Sequence, residues 1–298
     1  QHYGEDSRIM GWQLDNEPAV QFDYNPKAEE AFRQFLREKY NNNIKALNDS
    51  WGTAFWSEVY SSFDEITLPK TRQMFMNHHQ ILDYRRFAAK QTNDFLDEQC
   101  RVIRKHTNGS QWIVTNYIPN YDEGHIGGSK ELDFQVYTRY MVYGDNEGIG
   151  RRGYRVGNPL RIAWANDFFR PFQGTYGVME LQPGQVNWGA INPQPLPGAV
   201  RLWLWSVYAG GSDFACTYRY RQPLFGTEQY HYGIVGTDGV TVTPGGHEYQ
   251  QFAEEIKMLR KHYAPRETKP AEYTARRTAI LFNHENAWSI SRQKQNRT

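Results

Sequence analysis

The chain has 298 residues with 34 Lys and Arg against 33 Asp and Glu, so a formal net charge of +1 supplies no global field for binding nucleic acid or a membrane surface. Two cysteines exclude a disulfide framework, and the sequence contains no apolar run long enough to cross a membrane. Aromatic residues make up 15% of the chain, which suits a carbohydrate site because the C–H faces of sugars stack on rings.

Strand-like and helix-like segments alternate along the chain. Residues 8–14 predict an apolar strand, and residues 25–40 predict a helix, because Pro26 stands near its start and apolar residues recur at helical spacing from Ala28 to Leu36. Further strands are predicted at 111–117, within 132–144, at 176–180 and at 213–220. Further helices are predicted at 43–52, 74–107, 159–172, 197–211 and 247–263.

Five strands that alternate with helices predict a parallel sheet covered by helices, and hence an α/β fold. A doubly wound sheet and a (β/α)8 TIM barrel both fit this order. Acids at strand ends favour the barrel, because barrel enzymes carry their catalytic groups at the carboxyl ends of the strands. Five strands cannot close a barrel, so either the chain is part of a larger barrel or the barrel interpretation is wrong.

Acidic side chains follow three of the predicted strands. Asn16 and Glu17 follow the first strand, Glu180 ends the fourth, and Glu228 and His231 lie in the loop after the fifth. A single acid of this kind is usually a surface or capping carboxylate. Two carboxyls that face each other across a barrel mouth are what glycoside hydrolysis needs, because one protonates the leaving oxygen while the other attacks or activates water. The pattern therefore favours a glycosidase.

Five motifs resemble those of glycoside hydrolase family 42, the β-galactosidases. They are, in chain order, GWQLDNEP, ALNDSWGTAFWSEVY, VMELQPGQVNWG, PGAVRLWLW and FGTEQYHYGIV. The resemblance runs from residue 1 to residue 298 and implies a clan A retaining enzyme on a (β/α)8 barrel. It places GWQLDNEP on the fourth barrel strand, VMELQPG on the seventh and ACTYRYRQ on the eighth. Strands one to three are therefore expected to precede residue 1.

The resemblance assigns roles to individual residues. Glu17 would be the general acid/base and Glu180 the nucleophile, while Asn16 would orient the 2-hydroxyl of the sugar and the nucleophile. Glu228 and His231 would bind galactose hydroxyls. The remaining residues that the resemblance places at the substrate are Trp56 and Trp188 on the pocket wall, Tyr140 beside the nucleophile, and Tyr218.

The sequence departs from the family pattern at several positions. Residues 138–141 read TRYM where Asp-Asn-Tyr-Pro is usual, Pro18 stands where Tyr is common, and Tyr218 and Tyr220 replace Phe and Trp. We expect these changes to affect the preferred aglycone more than the chemistry. Many members carry a zinc-binding cysteine cluster after the acid/base residue, but residues 18–32 contain no Cys. No metal and no cofactor is therefore expected.

The resemblance also implies a domain organisation and an assembly. The predicted domains are the barrel portion at 1–263, a linker at 264–275 and, at 276–298, the start of an α/β trimerisation domain, where a new strand begins. The full-length protein is expected to be a homotrimer that acts on galactoside oligosaccharides, without nucleic acid or membrane partners.

The sequence is compatible with three functions. The first is a retaining exo-β-galactosidase that releases terminal β-D-galactosyl residues by double displacement. The second is a related clan A β-glycosidase with a different sugar preference or a preference for polysaccharide-derived oligosaccharides. The third is a truncated, non-catalytic carbohydrate-binding chain, since strands one to three are absent.

A retaining mechanism makes its own demands on the two acids. Glu17 must react in its protonated form and Glu180 in its ionised form, with the carboxyls about 5–5.5 Å apart. The charge of Glu180 is expected to raise the pKa of Glu17, because two nearby carboxylates resist double ionisation. Amide donors such as Asn16 are expected to keep Glu180 charged.

Overall fold

The computed structural model describes residues 2–69, 76–107, 109–119, 125–143, 153–172, 175–263 and 278–292. Within these ranges no helix is long and apolar enough to span a membrane. The chain forms two compact units. The first comprises Gln1–Glu17, Thr107–Pro119 and Leu132–Ala279, and the second comprises Pro18–His106, Asn120–Glu131 and Ile280–Thr298.

Helices separate the strands as the sequence predicts, except between β2 and β3, where the described residues contain no helix. The strands are β1 (Gly11–Asn16), β2 (Trp112–Tyr117), β3 (Gln135–Arg139), β4 (Tyr176–Leu181) and β5 (Phe214–Thr217). The helices are α1 (Pro26–Lys39), α2 (Ile44–Trp51), α3 (His78–Arg104), α4 (Gly153–Val156), α5 (Leu160–Phe169), α6 (Ala199–Ala209), α7 (Pro244–His262) and α8 (His284–Arg292).

The first unit is built on one parallel sheet with the strand order β1-β2-β3-β4-β5. A doubly wound sheet reverses its strand order at a switch point, whereas here every strand pairs with its successor in the chain. This order excludes the doubly wound alternative and is the strand order of a (β/α)8 barrel, so the predicted barrel fold is confirmed for the five strands that the chain contains. The ladder register shifts near the carboxyl ends of β1, β3 and β4, and such irregularities re-aim side chains beside active sites.

The sheet of the first unit has a buried apolar cluster and is tied to its helices by polar contacts. On the sheet, Val114, Val136 and Phe134 form a buried cluster. The Tyr137 hydroxyl donates to Asn166 Oδ1 over 2.8 Å, and the Asn166 amide donates to the Ser206 carbonyl over 3.2 Å. This chain of bonds ties β3 to α5 and α6 and satisfies a buried amide.

Helix α7 begins three residues before the predicted start, at Pro244. Thr243 caps it by accepting from the Gly246 amide, and Pro244 occupies the first turn, where a missing N–H costs nothing. The two glycines weaken the helical signal in the sequence, but the packing requires them. A Cβ on Gly245 would lie 1.6 Å from the Pro183 carbonyl oxygen. The helix therefore rests directly on the loop that follows β4.

The second unit is helical and has its own core. Its buried residues are Phe32, Leu36, Leu47, Trp51, Phe63, Ile66, Leu68, Tyr84 and Phe87. Helix α1 starts where Asn25 accepts from the amides of Lys27 and Ala28, with Pro26 in the first turn. These features agree with the helix predicted at 25–40.

A buried carboxylate joins the helices of the second unit. Asp83 on α3 is 1% exposed. It accepts hydrogen bonds from Tyr40 Oη over 2.7 Å, from Trp51 Nε1 over 3.0 Å and from Arg86 Nη1 over 2.7 Å, and it also pairs with Lys39. These donors satisfy a charge that would otherwise be costly to bury.

The C-terminal part of the chain differs from the prediction. Residues 278–283 form neither strand nor helix, and α8 follows them, so the strand predicted to begin there is not formed in the described residues. Glu285 on α8 instead pairs with Arg86 on α3. The predicted linker at 264–275 lies outside the described residues.

Candidate active site

The carboxyl ends of all five strands of the first unit meet at one pocket. Its volume is about 550 Å³. The residues that line it are Asn16, Glu17, Ile118, Thr138, Arg139, Tyr140, Tyr143, Glu180, Trp188, Tyr218 and Glu228. The carboxyl ends of parallel strands lie at the same edge of a sheet, which explains why residues so distant in sequence come together.

Glu180 lies at the end of β4 and is held by two donors. Tyr140 Oη donates to its Oε2 over 2.7 Å, and Asn116 Nδ2 donates to its Oε1 over 3.2 Å. Burial raises the pKa of Glu180, and the negative charge of Glu228 acts in the same direction, while the bonds from Tyr140 and Asn116 oppose the rise. The two donors therefore favour the ionised form in a partly desolvated site.

Asn116 connects the strand ends around Glu180. It is fully buried in β2 and is the register partner of Asn16 on β1. Its amide nitrogen lies 3.0 Å from Asn16 Oδ1 and 2.7 Å from Thr138 Oγ1. Its oxygen accepts from Gln13 Nε2 over 2.9 Å and from the backbone amide of Glu17 over 3.2 Å.

Glu17 follows β1 in a left-handed backbone conformation. Its φ is 48°, a region that costs roughly 1–2 kcal/mol for a residue with a Cβ. The hydrogen bond from its amide to Asn116 Oδ1 stabilises this turn. Glu17 and Glu180 both line the pocket, and the charge of Glu17 acts on the Tyr140 hydroxyl that bonds Glu180.

Glu228 and Tyr218 form a second polar pair on the pocket wall. Tyr218 Oη donates to Glu228 Oε2 over 2.6 Å, and Arg219 Nη1 lies 3.5 Å from the same oxygen. Burial and the adjacent carboxylate raise the pKa of Tyr218 to about 12. The phenol therefore remains protonated at neutral pH and keeps donating to Glu228.

His231 is fully buried and packs against two rings that line the pocket. Its ring contacts Tyr140 and Tyr218 edge-on, at centroid distances of 5.9 and 5.4 Å. Nδ1 lies 3.0 Å from the Tyr232 carbonyl, so in the neutral ring Nδ1 carries the proton and Nε2 is an acceptor. Burial lowers the pKa of His231. Nε2 has no hydrogen-bond partner among the described residues.

Gln182 fixes the loops on either side of Glu180. It is fully buried, and its Oε1 accepts from the amides of Met141 and Val142 over 2.8 and 2.9 Å. Its Nε2 donates to the carbonyls of Val142 and Gly184, each over 2.8 Å. One side chain thus ties the loop that carries Tyr140 to the loop after β4.

Aromatic side chains form the outer wall. Trp188 contacts Tyr140 edge-on at 5.0 Å and Tyr143 at 4.9 Å, and Arg161 lies 5.0 Å from the centre of the Tyr143 ring. Trp188 remains 45% exposed. Half-exposed rings beside carboxylates offer stacking surfaces for sugar C–H faces.

The structure brings most of the predicted site residues together. Asn16, Glu17, Tyr140, Glu180, Trp188, Tyr218 and Glu228 line the pocket, and His231 packs directly behind two of them. Trp56 belongs to the second unit, where it is 65% exposed and lies 5.1 Å from the Phe55 ring. The amide that bonds Glu180 in the structure is Asn116, whereas Asn16 accepts from that same amide.

Sequence reasoning missed Asn116, Gln182 and Tyr143. Asn116 is the last residue but one of the strand predicted at 111–117, and Asn16 follows the strand predicted at 8–14, so its position near a strand end was a usable signal. Gln182 gave no signal, because its role depends on two loops meeting in space. Within the described residues no group of three or more His, Cys, Asp or Glu side chains is arranged to hold a metal ion.

Comparisons with known proteins agree with this geometry. A β-galactosidase BgaA of Thermus sp is 35% identical over 99% of this chain and 45% of its own length. A crystal structure of a β-galactosidase from the psychrophilic Marinomonas ef1 superimposes with a TM-score of 0.87 at 32% identity, covering 99% of this chain and 46% of the other. A β-galactosidase from Halorubrum lacusprofundi gives a TM-score of 0.82 at 28% identity, covering 98% and 43%.

The chain spans a little under half the length of these relatives. The family model described as β-galactosidase matches residues 1–259. That match covers the whole of the first unit's sheet and every residue that lines the pocket. The chain belongs to glycoside hydrolase family 42, the β-galactosidase family.

Proposed function

We propose that the full-length protein is a retaining exo-β-galactosidase that releases terminal β-D-galactosyl residues from oligosaccharides by double displacement. The observation that carries the proposal is Glu180, a strand-end carboxylate held by Tyr140 and Asn116 in a pocket that Glu17 also lines. Membership of the β-galactosidase family supports galactosides as the substrate class.

In the first step, an oxygen of Glu180 attacks the anomeric carbon and the glycosidic C–O bond breaks. Glu17 donates its proton to the departing oxygen, so the aglycone leaves as a neutral alcohol. In the second step, Glu17 takes a proton from water, the resulting hydroxide attacks the same carbon, and Glu180 leaves as a carboxylate. The configuration of the anomeric carbon is inverted in each step, so the product retains the configuration of the substrate. This mechanism requires the two carboxyls to be about 5–5.5 Å apart.

The remaining pocket residues would bind the galactosyl ring. Glu228 would accept from sugar hydroxyls while Tyr218 and Arg219 hold it in place. His231 is fully buried behind Tyr140 and Tyr218, so its predicted bond to a galactose hydroxyl through Nε2 requires these rings to move aside. Asn16 would bind the 2-hydroxyl. The aromatic wall residue of this pocket is Trp188; the role of Trp56 stays a prediction from the family resemblance.

A related clan A β-glycosidase with a different sugar or oligosaccharide preference is the second candidate. It is favoured by the residues that depart from the family pattern, because Thr138, Arg139 and Tyr218 all line the pocket. A change of lining residue alters which hydroxyls of the sugar find hydrogen-bond partners in the pocket. A substrate that leaves a buried polar group of the pocket unpaired is rejected strongly.

A panel of chromogenic glycosides, tested on the full-length protein, decides between these candidates. The galactoside should be hydrolysed fastest, and proton NMR should show the β-anomer of galactose as the first product. Preference for another sugar would select the second candidate. Absence of turnover on every glycoside would leave the carbohydrate-binding alternative and would overturn the proposed enzyme.

The assembly is a separate proposal. The resemblance of residues 276–298 to the start of a trimerisation domain, after a linker at 264–275, supports a homotrimer for the full-length protein. Light scattering should give three times the mass of one chain. A stable monomer would contradict this.

A further inference from the structure

We propose that Asn116 is a positioning residue for glycosidic cleavage, joining the acid/base segment and the nucleophile through one side chain. The proposal rests on the proposed function, because it assigns Asn116 a role in the reaction of Glu17 and Glu180. Asn116 bonds the backbone of Glu17 after β1 and the side chain of Glu180 on β4. It does not line the pocket, and it is fully buried.

The orientation of the Asn116 carboxamide is fixed by its partners. Its Oδ1 faces the backbone N–H of Glu17, which can only donate. Its Nδ2 faces the carboxylate of Glu180, which in its ionised form can only accept. Exchanging the oxygen and the nitrogen would set two donors against each other at one end and two acceptors at the other. The contacts therefore select one orientation.

The amide nitrogen is shared among more acceptors than it has hydrogens. It carries two hydrogens, and three acceptors lie within reach: Thr138 Oγ1 at 2.7 Å, Asn16 Oδ1 at 3.0 Å and Glu180 Oε1 at 3.2 Å. The carboxylate therefore competes with Thr138 and Asn16 for these hydrogens. Removing one competitor should strengthen the bond to Glu180, and removing the donor should abolish it.

Several other groups face Glu180 from the elements around it. Tyr140 donates to it, and the charge of Glu228 acts on it. Glu17, Arg139 and Tyr218 line the same pocket. Asn116 is thus one of two described donors to a carboxylate with other acids nearby. An acid in its place would lose the donor and add a further negative charge.

The test replaces Asn116 by its isostere in the full-length protein. With an aryl β-galactoside whose leaving group needs no protonation, the acidic limb of kcat/KM against pH reports the ionisation of Glu180. Asn116→Asp should move this limb upward by about one pH unit, since a charge-assisted hydrogen bond is comparable in size to one unit. It should also lower kcat more than it changes KM.

The matched control is Asn166→Asp. Asn166 is also a buried amide of the first unit, 1% exposed, but it bonds Tyr137 and the Ser206 carbonyl and is not a pocket residue. Its substitution can lower stability but should leave the acidic limb in place. An unmoved limb in Asn116→Asp, or an equal shift in the control, would overturn the proposal.

Thr138→Val provides the second variant if Asn116→Asp does not fold. It removes one competing acceptor and should move the acidic limb to lower pH, the opposite direction from Asn116→Asp. A purely structural role of Asn116 gives no reason for such a shift. An unchanged or raised limb in Thr138→Val would therefore count against the proposal.

A readout without turnover separates this inference from the proposed function. A water-soluble carbodiimide activates protonated carboxyls, and an added amine then labels them, so mass spectrometry can follow the protonation of Glu180 against pH. Labelling of Glu180 should extend to higher pH in Asn116→Asp than in the wild type. If the wild type hydrolyses no glycoside, the proposed function fails. The labelling curves still decide whether Asn116 controls Glu180.

Discussion

The Tyr140 hydroxyl lies 2.7 Å from Oε2 of Glu180 and donates a hydrogen bond to it. The two residues are forty positions apart in the sequence, on the loop after β3 and at the end of β4. Burial and the nearby carboxylates raise the pKa of the Tyr140 phenol far above its usual value, so it stays a donor throughout the working pH range. This bond opposes the rise in the pKa of Glu180 that burial causes.

Tyr140→Phe should lower kcat/KM for galactosides by roughly tenfold to a hundredfold, because a hydrogen bond to a charged group contributes about 1.5–3 kcal/mol. The pKa of Glu180, already raised by burial, should rise further. In the proposed mechanism Glu180 attacks as a carboxylate, so activity should be lost first on the acidic side of the pH profile. Steady-state kinetics against pH checks this. A uniform loss at every pH would mean that Tyr140 contributes only by packing.

Glu180→Ala should abolish turnover, and azide or formate should restore it as a replacement nucleophile with a product of inverted configuration. This follows from the proposed role of Glu180, because the small anion fits the space of the missing carboxylate and only one inversion occurs. NMR of the glycosyl azide measures the configuration. Rescue with retention would contradict the role.

Glu17→Ala should spare substrates with very acidic leaving groups, which need little protonation. Azide should then give a product of retained configuration, because it attacks the glycosyl-enzyme intermediate in place of water. The measurement is a comparison of aryl galactosides that differ in the pKa of the leaving phenol. An equal loss of rate on all of them would remove Glu17 from the role of acid.

Glu228→Gln should weaken galactoside turnover by roughly tenfold to a hundredfold while the fold stays intact, because a charged hydrogen bond to a sugar hydroxyl is replaced by a neutral one. The matched control is Glu255→Gln on α7. Glu255 pairs with Arg201 and does not line the pocket. An unchanged galactoside-to-glucoside ratio in Glu228→Gln would exclude Glu228 from sugar recognition.

Asp83→Asn should destabilise the second unit by about 3–5 kcal/mol, because Lys39 and Arg86 would lose the negative charge that they pair with. The hydrogen bonds to Asp83 outweigh the opposing effect of burial and hold its pKa below the usual value. A carboxyl with a lowered folded pKa contributes stability above its unfolded pKa, about 3.9, and loses this contribution as the pH falls through the folded pKa.

The difference in unfolding free energy between wild type and Asp83→Asn should therefore be largest at neutral pH and should decrease below about pH 4. Urea unfolding at several pH values measures it. Asp94→Asn on the same helix is the control, since Asp94 is half exposed and pairs only with Lys90 among the described ion pairs. Its effect should stay below about 1 kcal/mol. Equal losses of unfolding free energy in Asp83→Asn and Asp94→Asn would show that the buried ion pairs of Asp83 do not stabilise the second unit.

The sequence predicted the order of the strands and that Glu17 and Glu180 would lie close together, and both residues line one pocket. The strands are near-continuous apolar runs and the helices have apolar residues at helical spacing, so both are local signals that survive in the folded chain. The start of α7 was harder to predict, because Gly245 disfavours a helix locally and is required by the close approach of Pro183. Residues 278–283, where a strand was expected, form neither strand nor helix, because an apolar run by itself does not specify a strand partner.

The sequence by itself determined that Glu17 and Glu180 lie at the carboxyl ends of strands of one parallel sheet, because strand periodicity and strand ends are encoded locally. Only the tertiary structure decided what holds them. Asn116 on β2 and Tyr140 after β3 donate to Glu180 on β4. Gln182 after β4 accepts from the Met141 amide after β3. Such contacts depend on the sheet register, in which Asn16 pairs with Asn116 and Thr138 with Glu180. The register is fixed by packing over the whole sheet, so no short stretch of sequence contains it.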